Sequence, residues 1–307
     1  DEVVVVGMDK QKRNTITAAV STVASDAIVN RPVTDLTSAL QGNVAGLNFV
    51  TDAAPDGVGG ETGAEIKFNI RGVGSINGNG GEPYVLVDGV EQSLQNVNPN
   101  DIETISVLKD ASAAAVYGAR AAYGVVLVTT KSGRQEKTRV SYRGTVGFSS
   151  PINMPEMMNS LEFAKYVNER NDNDGVNHKF SDALIEKMEG FMKNPYSAEF
   201  PGIGPNQNGT DWASSMDAVY ANTDWFDYYF KDTAIRHSHN LSVTEGSEKF
   251  NYYVGLGYTY QDGLLDKVDD NLSKYNVNTK FQIIANKWLK FNFNNNITLS
   301  ILKRPMA

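Results

Sequence analysis

The chain has 307 residues, no cysteine and a formal net charge of −8, with 41% hydrophobic and 21% charged residues. That length holds two ordinary domains, and the acidic balance argues against a nucleic-acid binder, which presents a basic face. No run of about 18 apolar residues offers a transmembrane helix, although a β-barrel hides its strands in short alternating segments. The chain opens Asp1-Glu2-Val3 with no signal peptide and so reads as a cytoplasmic, mature or truncated form.

The first half alternates short helix and strand patterns. Residues 3–6 are four valines, suited to extended backbone. Residues 17–23 read as a strand, and Asp35 is placed to cap a short helix over 36–40 that Gly42 stops. Residues 65–70 alternate polar and apolar and predict a strand, while 72–81, with five glycines in ten positions, predict a loop. Residues 84–87 form a buried-strand candidate ended by Asp88-Gly89, Asn98-Pro99 opens a turn, and 104–108 predict another strand. Asp110 caps an Ala-rich helix over 111–117, Gly118 suits its left-handed cap, and Gly124 closes the bend before a strand over 125–130.

The texture changes near 131–137. Residues 138–148 place Val140, Tyr142, Val146 and Phe148 on one face against Arg139, Ser141, Arg143 and Thr145 on the other. The same period of two returns around Leu241 and Val243, over 250–260, over 275–283 and over 289–299, giving five strands. Short turns at 246–248 and 285–287 alternate with longer connections at 151–237 and 262–273, the habit of outer-membrane barrels. A soluble sandwich also alternates, but here the polar face is rich in Asn and Gly and the apolar face in Tyr and Phe, which favours a barrel. Within the long connection, Asn159 and Glu162 fit a capping box, and Ser181 caps a helix carrying Leu184, Ile185, Met188 and Phe191. Both helices are expected to pack on a surface loop.

Catalytic and metal chemistry find little support. His237 and His239 share a strand face, but no third ligand is evident. Asp172-Asn173-Asp174-Gly175 lacks the leading carboxylate and distant Glu of a calcium loop and reads as a polar turn, and no phosphate loop is present. No cofactor and no enzyme activity are expected; calcium is the one ion weighed, and it lacks support.

Several ordered blocks carry a family resemblance: DEVVVVG at 1–7, LQGNVAGL at 40–47, IRG at 70–72, PYVLVDGV at 83–90, IETISVLKDASA at 102–113 and VYGARAAYGVVLVTTKSG at 116–133. Together with Asp224-Trp225-Phe226 and residues 239–263, they resemble the SusC/RagA type of TonB-dependent outer-membrane receptor. One departure is Gly7-Met8-Asp9, where the family continues Tyr-Gly-Thr. The resemblance implies an α+β plug domain over 1–133, with a coupling segment at 1–7, followed by antiparallel transmembrane β-barrel strands over 134–307 and a long extracellular loop at about 150–236. Family barrels have roughly 22 strands, so five strands are expected to be an N-terminal fragment of a longer receptor.

The implied function is TonB-dependent import of a bulky nutrient, an oligosaccharide first, across the outer membrane of a Gram-negative bacterium. The implied partners are TonB, a SusD-like surface lipoprotein as lid, outer-membrane lipid and a second transporter–lipoprotein pair. Alternatives are a peptide importer of the same family, a siderophore or cobalamin receptor, and an adhesin-like surface β-protein. Glu2, Val3, Val4, Val5 and Val6 form the candidate segment for strand addition to TonB. The plug-motif residues are Arg71, Gly72, Asp88, Gly89, Lys109, Asp110, Tyr117, Gly118, Arg120 and Gly124. Among these Arg71, Asp88, Lys109 and Arg120 are expected to pair with one another or with wall carboxylates as a releasable latch. Gly78, Asn79, Trp212 and Tyr220 are the substrate-facing candidates, the aromatic rings as faces for sugar stacking. Tyr258, Tyr260 and Tyr275 are assigned instead to an interfacial girdle.

Overall fold

The computed structural model describes residues 3–6, 9–12, 20–29, 36–51, 62–64, 66–70, 82–109, 117–152, 154–202 and 220–304. The chain divides into two compact units: residues 1–149 with 233–263 and 268–307, and residues 150–232 with 264–267.

In the first unit, β1 (Val3–Val6) and β2 (Asp9–Lys12) form an antiparallel ribbon with Val3 opposite Lys12. Then come β3 (Val20–Ala24), α1 (Ser25–Val29), α2 (Leu36–Leu40) and a second antiparallel ribbon of β4 (Leu47–Thr51) and β5 (Ile66–Ile70). Four further strands, β6 (Tyr84–Val87), β7 (Val90–Glu91), β8 (Ile102–Leu108) and β9 (Val125–Thr130), join β3 in a mixed sheet of order β3-β8-β9-β6-β7. β6 and β9 run parallel, and β8 lies antiparallel to both of its neighbours.

The near-continuous apolar runs of β8 and β9 follow from burial on both faces. One face packs Ile105, Val107, Val126 and Val128 against Ile28, Leu36, Leu40, Val44 and Leu47. The other packs Leu86, Leu108, Val125 and Leu127 against Ala121. Asp88 and Gly89 both have positive φ (50° and 88°), the backbone that a two-residue hairpin requires. At Gly124 (φ 98°) a Cβ would stand 2.6 Å from Ile70 Cδ1 and 3.1 Å from the Leu108 carbonyl oxygen, so only a hydrogen fits. The expected loop at 72–81 and nearly all of the expected Ala-rich helix lie outside the described residues. Beyond that helix the chain makes a short 3₁₀ turn, Ala119–Ala121.

The rest of the first unit is a second five-stranded sheet, a sequential antiparallel meander of β10 (Arg139–Ser149), β11 (Ala234–Gly246), β12 (Phe250–Asp262), β13 (Asn271–Asn286) and β14 (Leu289–Lys303). Its strands outrun the alternating windows because their ends are polar, as at Asn271 and Asn286. The burial is the reverse of a soluble sheet. Val140, Phe148, Phe293 and Leu299 are exposed, whereas Asn240, Asn276 and Asn278 are buried.

In the second unit, α3 (Ser160–Asn173) opens with the expected capping box of Asn159 and Glu162, and α4 (Asp182–Lys193) with Ser181 as cap. The two helices do more than lie on a loop. Ala164, Val167, Phe180, Leu184, Met188, Phe191 and Tyr220 form a core of their own. A third helix, α5 (Trp225–Tyr229), is capped by Asp224.

Candidate functional site

Where the polar side of the meander meets the segment that carries the mixed sheet, three clusters of hydrogen bonds join meander side chains to side chains and backbone carbonyls of that segment. The first grows from the turn Asn98-Pro99-Asn100-Asp101. The Asn98 side-chain oxygen accepts from the Asn100 N–H (3.0 Å), capping the 3₁₀ turn. That fixes the side chain so that its Nδ2 donates across to Asn240 Oδ1 at 2.8 Å. Asp101, 5% exposed, accepts from the Tyr253 hydroxyl on β12 at 2.7 Å. The turn enters a recess made by Gly255 and Gly257. A Cβ at Gly255 would collide with Asp101 Oδ1, and one at Gly257 with Asn98 Nδ2.

Burial pushes the Asp101 carboxyl above the ordinary carboxylate range, outweighing the opposing effects of the Tyr253 hydrogen bond and the Lys131 charge. Burial likewise draws the Lys131 ammonium down, against the opposing pull of Asp101. Lys131 Nζ donates to the Asn100 carbonyl at 2.7 Å, and its N–H to the Asp101 carbonyl, also at 2.7 Å.

The second cluster centres on Asp88, held by its left-handed turn. Its carboxylate accepts from the Thr130 N–H (3.0 Å), the Thr130 hydroxyl (2.7 Å) and Lys280 Nζ of β13 (2.8 Å). Lys280 also donates to the Thr130 carbonyl at 2.9 Å, and both side chains of the ion pair are largely buried. In the third cluster the meander donates to backbone: Lys274 Nζ to the Gln95 carbonyl (2.9 Å) and the Thr298 hydroxyl to the Asn96 carbonyl (2.6 Å). Asn276 Nδ2 bonds Thr298 Oγ1 at 2.8 Å. The segment before β6 also meets the wall: Arg143 donates to the Val29 carbonyl (3.2 Å), Arg304 donates to the Thr62 carbonyl (3.3 Å), and Gly63 lies against Leu302.

The predicted site residues fall into several groups. Val3 to Val6 lie in the β1–β2 ribbon. Glu2, Arg71, Gly72, Gly78, Asn79, Asp110 and Trp212 lie outside the described residues. Tyr117 packs its ring 6.4 Å from that of Tyr84, and Gly118 has φ 73°. The expected latch pairing is corrected at the described positions. Asp88 pairs with a wall lysine rather than with a basic plug residue. Arg120 pairs with Glu91 of its own sheet at 2.5 Å, in the open, and lies over the Tyr84 ring. Lys109 donates to the Ser21 hydroxyl at 2.6 Å and to the Ala45 carbonyl. The reason is the wall's chemistry: at these rows its inner face offers Lys, Asn and Thr. Tyr220 is also corrected, because it is 5% exposed and stands edge-on to Phe191 in a core, with no free face for a sugar.

Asn98, Asp101, Tyr253, Gly255, Gly257 and Lys280 were missed by the sequence reading. Two features pointed to them: a Gly-x-Gly pair on one strand face, and Tyr253 as an aromatic on the polar side. On the outer face, the Tyr142 hydroxyl meets His239 Nδ1 at 2.7 Å, and His237, Tyr258 and Tyr275 continue the ring cluster. Among the described residues no group of three metal-ligating side chains assembles.

Residues 12–125 match the family model of the TonB-dependent Receptor Plug Domain. The chain is 31% identical over 316 residues to the TonB-dependent receptor SusC of Bacteroides thetaiotaomicron, covering 94% of this chain and 27% of that protein. It is 32% identical over 304 residues to a TonB-dependent receptor of Formosa agariphila, covering 95% and 26%. The structure matches that of the RagAB peptide importer in its open-open state with a TM-score of 0.73 and 28% identity, over 97% of this chain and 32% of that one. An α/β plug seated on the polar face of an apolar-backed meander defines a plugged β-barrel receptor. Within that class the chain belongs to the TonB-dependent receptors of the SusC/RagA type, which are outer-membrane proteins of Gram-negative bacteria. It spans about a quarter of the length of the curated relatives it matches (27% and 26%).

Proposed function

We propose that this chain supplies the plug (1–133) and the first wall strands (134–307) of an outer-membrane importer that TonB energises and a SusD-like lipoprotein lids. Two such pairs associate, and the cargo is a bulky nutrient, an oligosaccharide first. The observation that carries this reading is the seam itself: a plug fastened by buried polar contacts to the inner face of a wall whose outer face is apolar. Such a plug closes the lumen until work is done on it, and Glu2 to Val6 is the segment through which the work arrives. The β-branched, extended backbone of β1, paired with β2, suits strand addition to a partner sheet.

Deleting residues 2–6 from the full-length receptor tests the reading. Uptake of labelled nutrient is expected to vanish while surface binding persists, and unchanged uptake would reject the coupling role. The likeness to a peptide importer supports a second cargo, oligopeptides. A panel of oligosaccharides and peptides offered to the purified receptor–lipoprotein complex separates the two.

A further inference from the structure

We propose that Arg236 is a carboxylate clamp on the lumen wall, and that the cargo of this receptor carries carboxylates. This deepens the proposed function and rests on its reading of the wall as the side of a cargo path. The face of Arg236 is set by the period of β11: Asn240, four residues on, meets Asn98 of the plug at 2.8 Å, so Ser238 and Arg236 share that inner face. From Asn240 to Arg236 the strand climbs about 13 Å, toward the long connection that this reading puts outside the cell. Among the described residues, no side chain of β11 on that climb bonds to the plug.

The neighbouring strand places the guanidinium. Arg236 stands opposite Gly147 in register, and a Cβ at Gly147 would come 3.2 Å from Arg236 Nε and 3.3 Å from Nη2. The group therefore lies over bare backbone that any other residue would cover. Its Nε is buried without a hydrogen-bond partner, and no described residue forms an ion pair with it. Other cations at the seam are engaged: Lys280 pairs with Asp88, and Lys131 donates to the Asn100 carbonyl. Around Arg236 the inner face offers Thr145, Ser238, Thr259 and Gln261, hydroxyls and an amide but no acid. A positioned guanidinium with no acid of its own fits a carboxylate, which its planar fork of donors holds bidentately. That group comes either from an oligopeptide or from the uronate units of an oligosaccharide.

Calorimetry on the full-length receptor–lipoprotein complex tests this with two probe pairs. One pair is an oligopeptide as its free acid and as its amide; the other is an oligouronate and a neutral oligosaccharide of equal length. Arg236→Gln is expected to weaken the acidic member of a pair about ten-fold or more and to leave its neutral counterpart within about two-fold. The pair that responds identifies the source of the carboxylate. Arg236→Lys, which keeps the charge without the fork, is expected to restore only part of the lost affinity. Gly147→Ala, which displaces the guanidinium, is expected to act in the same direction as Arg236→Gln; the heat-modifiable band shows whether each variant folds. Equal losses within a pair, the result if Arg236 pairs with an acid of the receptor itself, overturn the clamp. So does no loss in either pair, or a parent that binds only the neutral members. If the parent binds none of the four, the cargo reading fails and arginine-selective labelling still decides. Excess propionate, unlike propionamide, is then expected to slow the labelling of Arg236 read by mass spectrometry, and equal rates overturn the clamp.

Discussion

At the scale of single residues, Asp101 and Tyr253 show how a buried polar contact both holds and costs. Burial raises the Asp101 carboxyl above its ordinary 3.8. The folded state therefore keeps the proton to higher pH than the unfolded chain does. Stability from this group is fullest below the unfolded value and is lost as pH rises through the raised folded one. Asp101→Asn keeps an oxygen for the Tyr253 hydroxyl and removes the titration. It is expected to be more stable than the wild type at neutral pH, with the advantage fading as pH falls through the raised folded value and gone below the ordinary 3.8. Tyr253→Phe acts oppositely, taking the hydroxyl donor from a buried carboxyl at a cost of about 1–3 kcal/mol. Thermal unfolding of the full-length receptor across pH checks both; a pH-independent offset for Asp101→Asn would contradict the assignment.

At the scale of elements, the helical pair of the second unit depends on one buried amide. Asn168 on α3 donates to the Phe180 carbonyl at 2.7 Å and accepts from the Lys179 and Phe180 N–H groups at 3.1 and 3.0 Å. Asn168→Ala strands three backbone groups of the α3–α4 connection, each costing about 1–3 kcal/mol if left dry. Hydrogen exchange is expected to rise throughout α3 and α4 while the meander strands stay unchanged; protection retained in α4 would show the amide dispensable. The caps of these helices were legible in the sequence because a cap is written within four residues, as at Asn159 and Ser181. The strands of the meander were legible because a period of two is local as well. The seam was not, because Asp101 and Tyr253 stand 152 positions apart and no local pattern pairs them. Tyr220 misled for a related reason: an aromatic in a loop-like stretch reads as available until Phe191 is seen against it.

At the scale of the whole molecule, the meander assigns its two faces to different solvents, and the assignment is open to test. Ile297 and Leu299 on β14 are more than half exposed beside Phe291 and Phe293, a continuous apolar surface that water does not favour and lipid does. The opposite face, carrying Asn292 bonded to Gln282 at 3.0 Å, is polar. An arginine on the lipid face costs about 2–4 kcal/mol near mid-depth, whereas a cation in a wet lumen costs little. Ile297→Arg is therefore expected to cut the fraction of full-length receptor that folds into the outer membrane, read as the heat-modifiable band on a gel. Asn292→Lys, equal in charge and on the same strand, is expected to leave that band near the parental level. The inequality follows from the strand's period: five positions separate the two residues, an odd number, so they lie on opposite faces. Equal losses would mean that the two faces meet the same solvent, and the wall would not be a membrane wall.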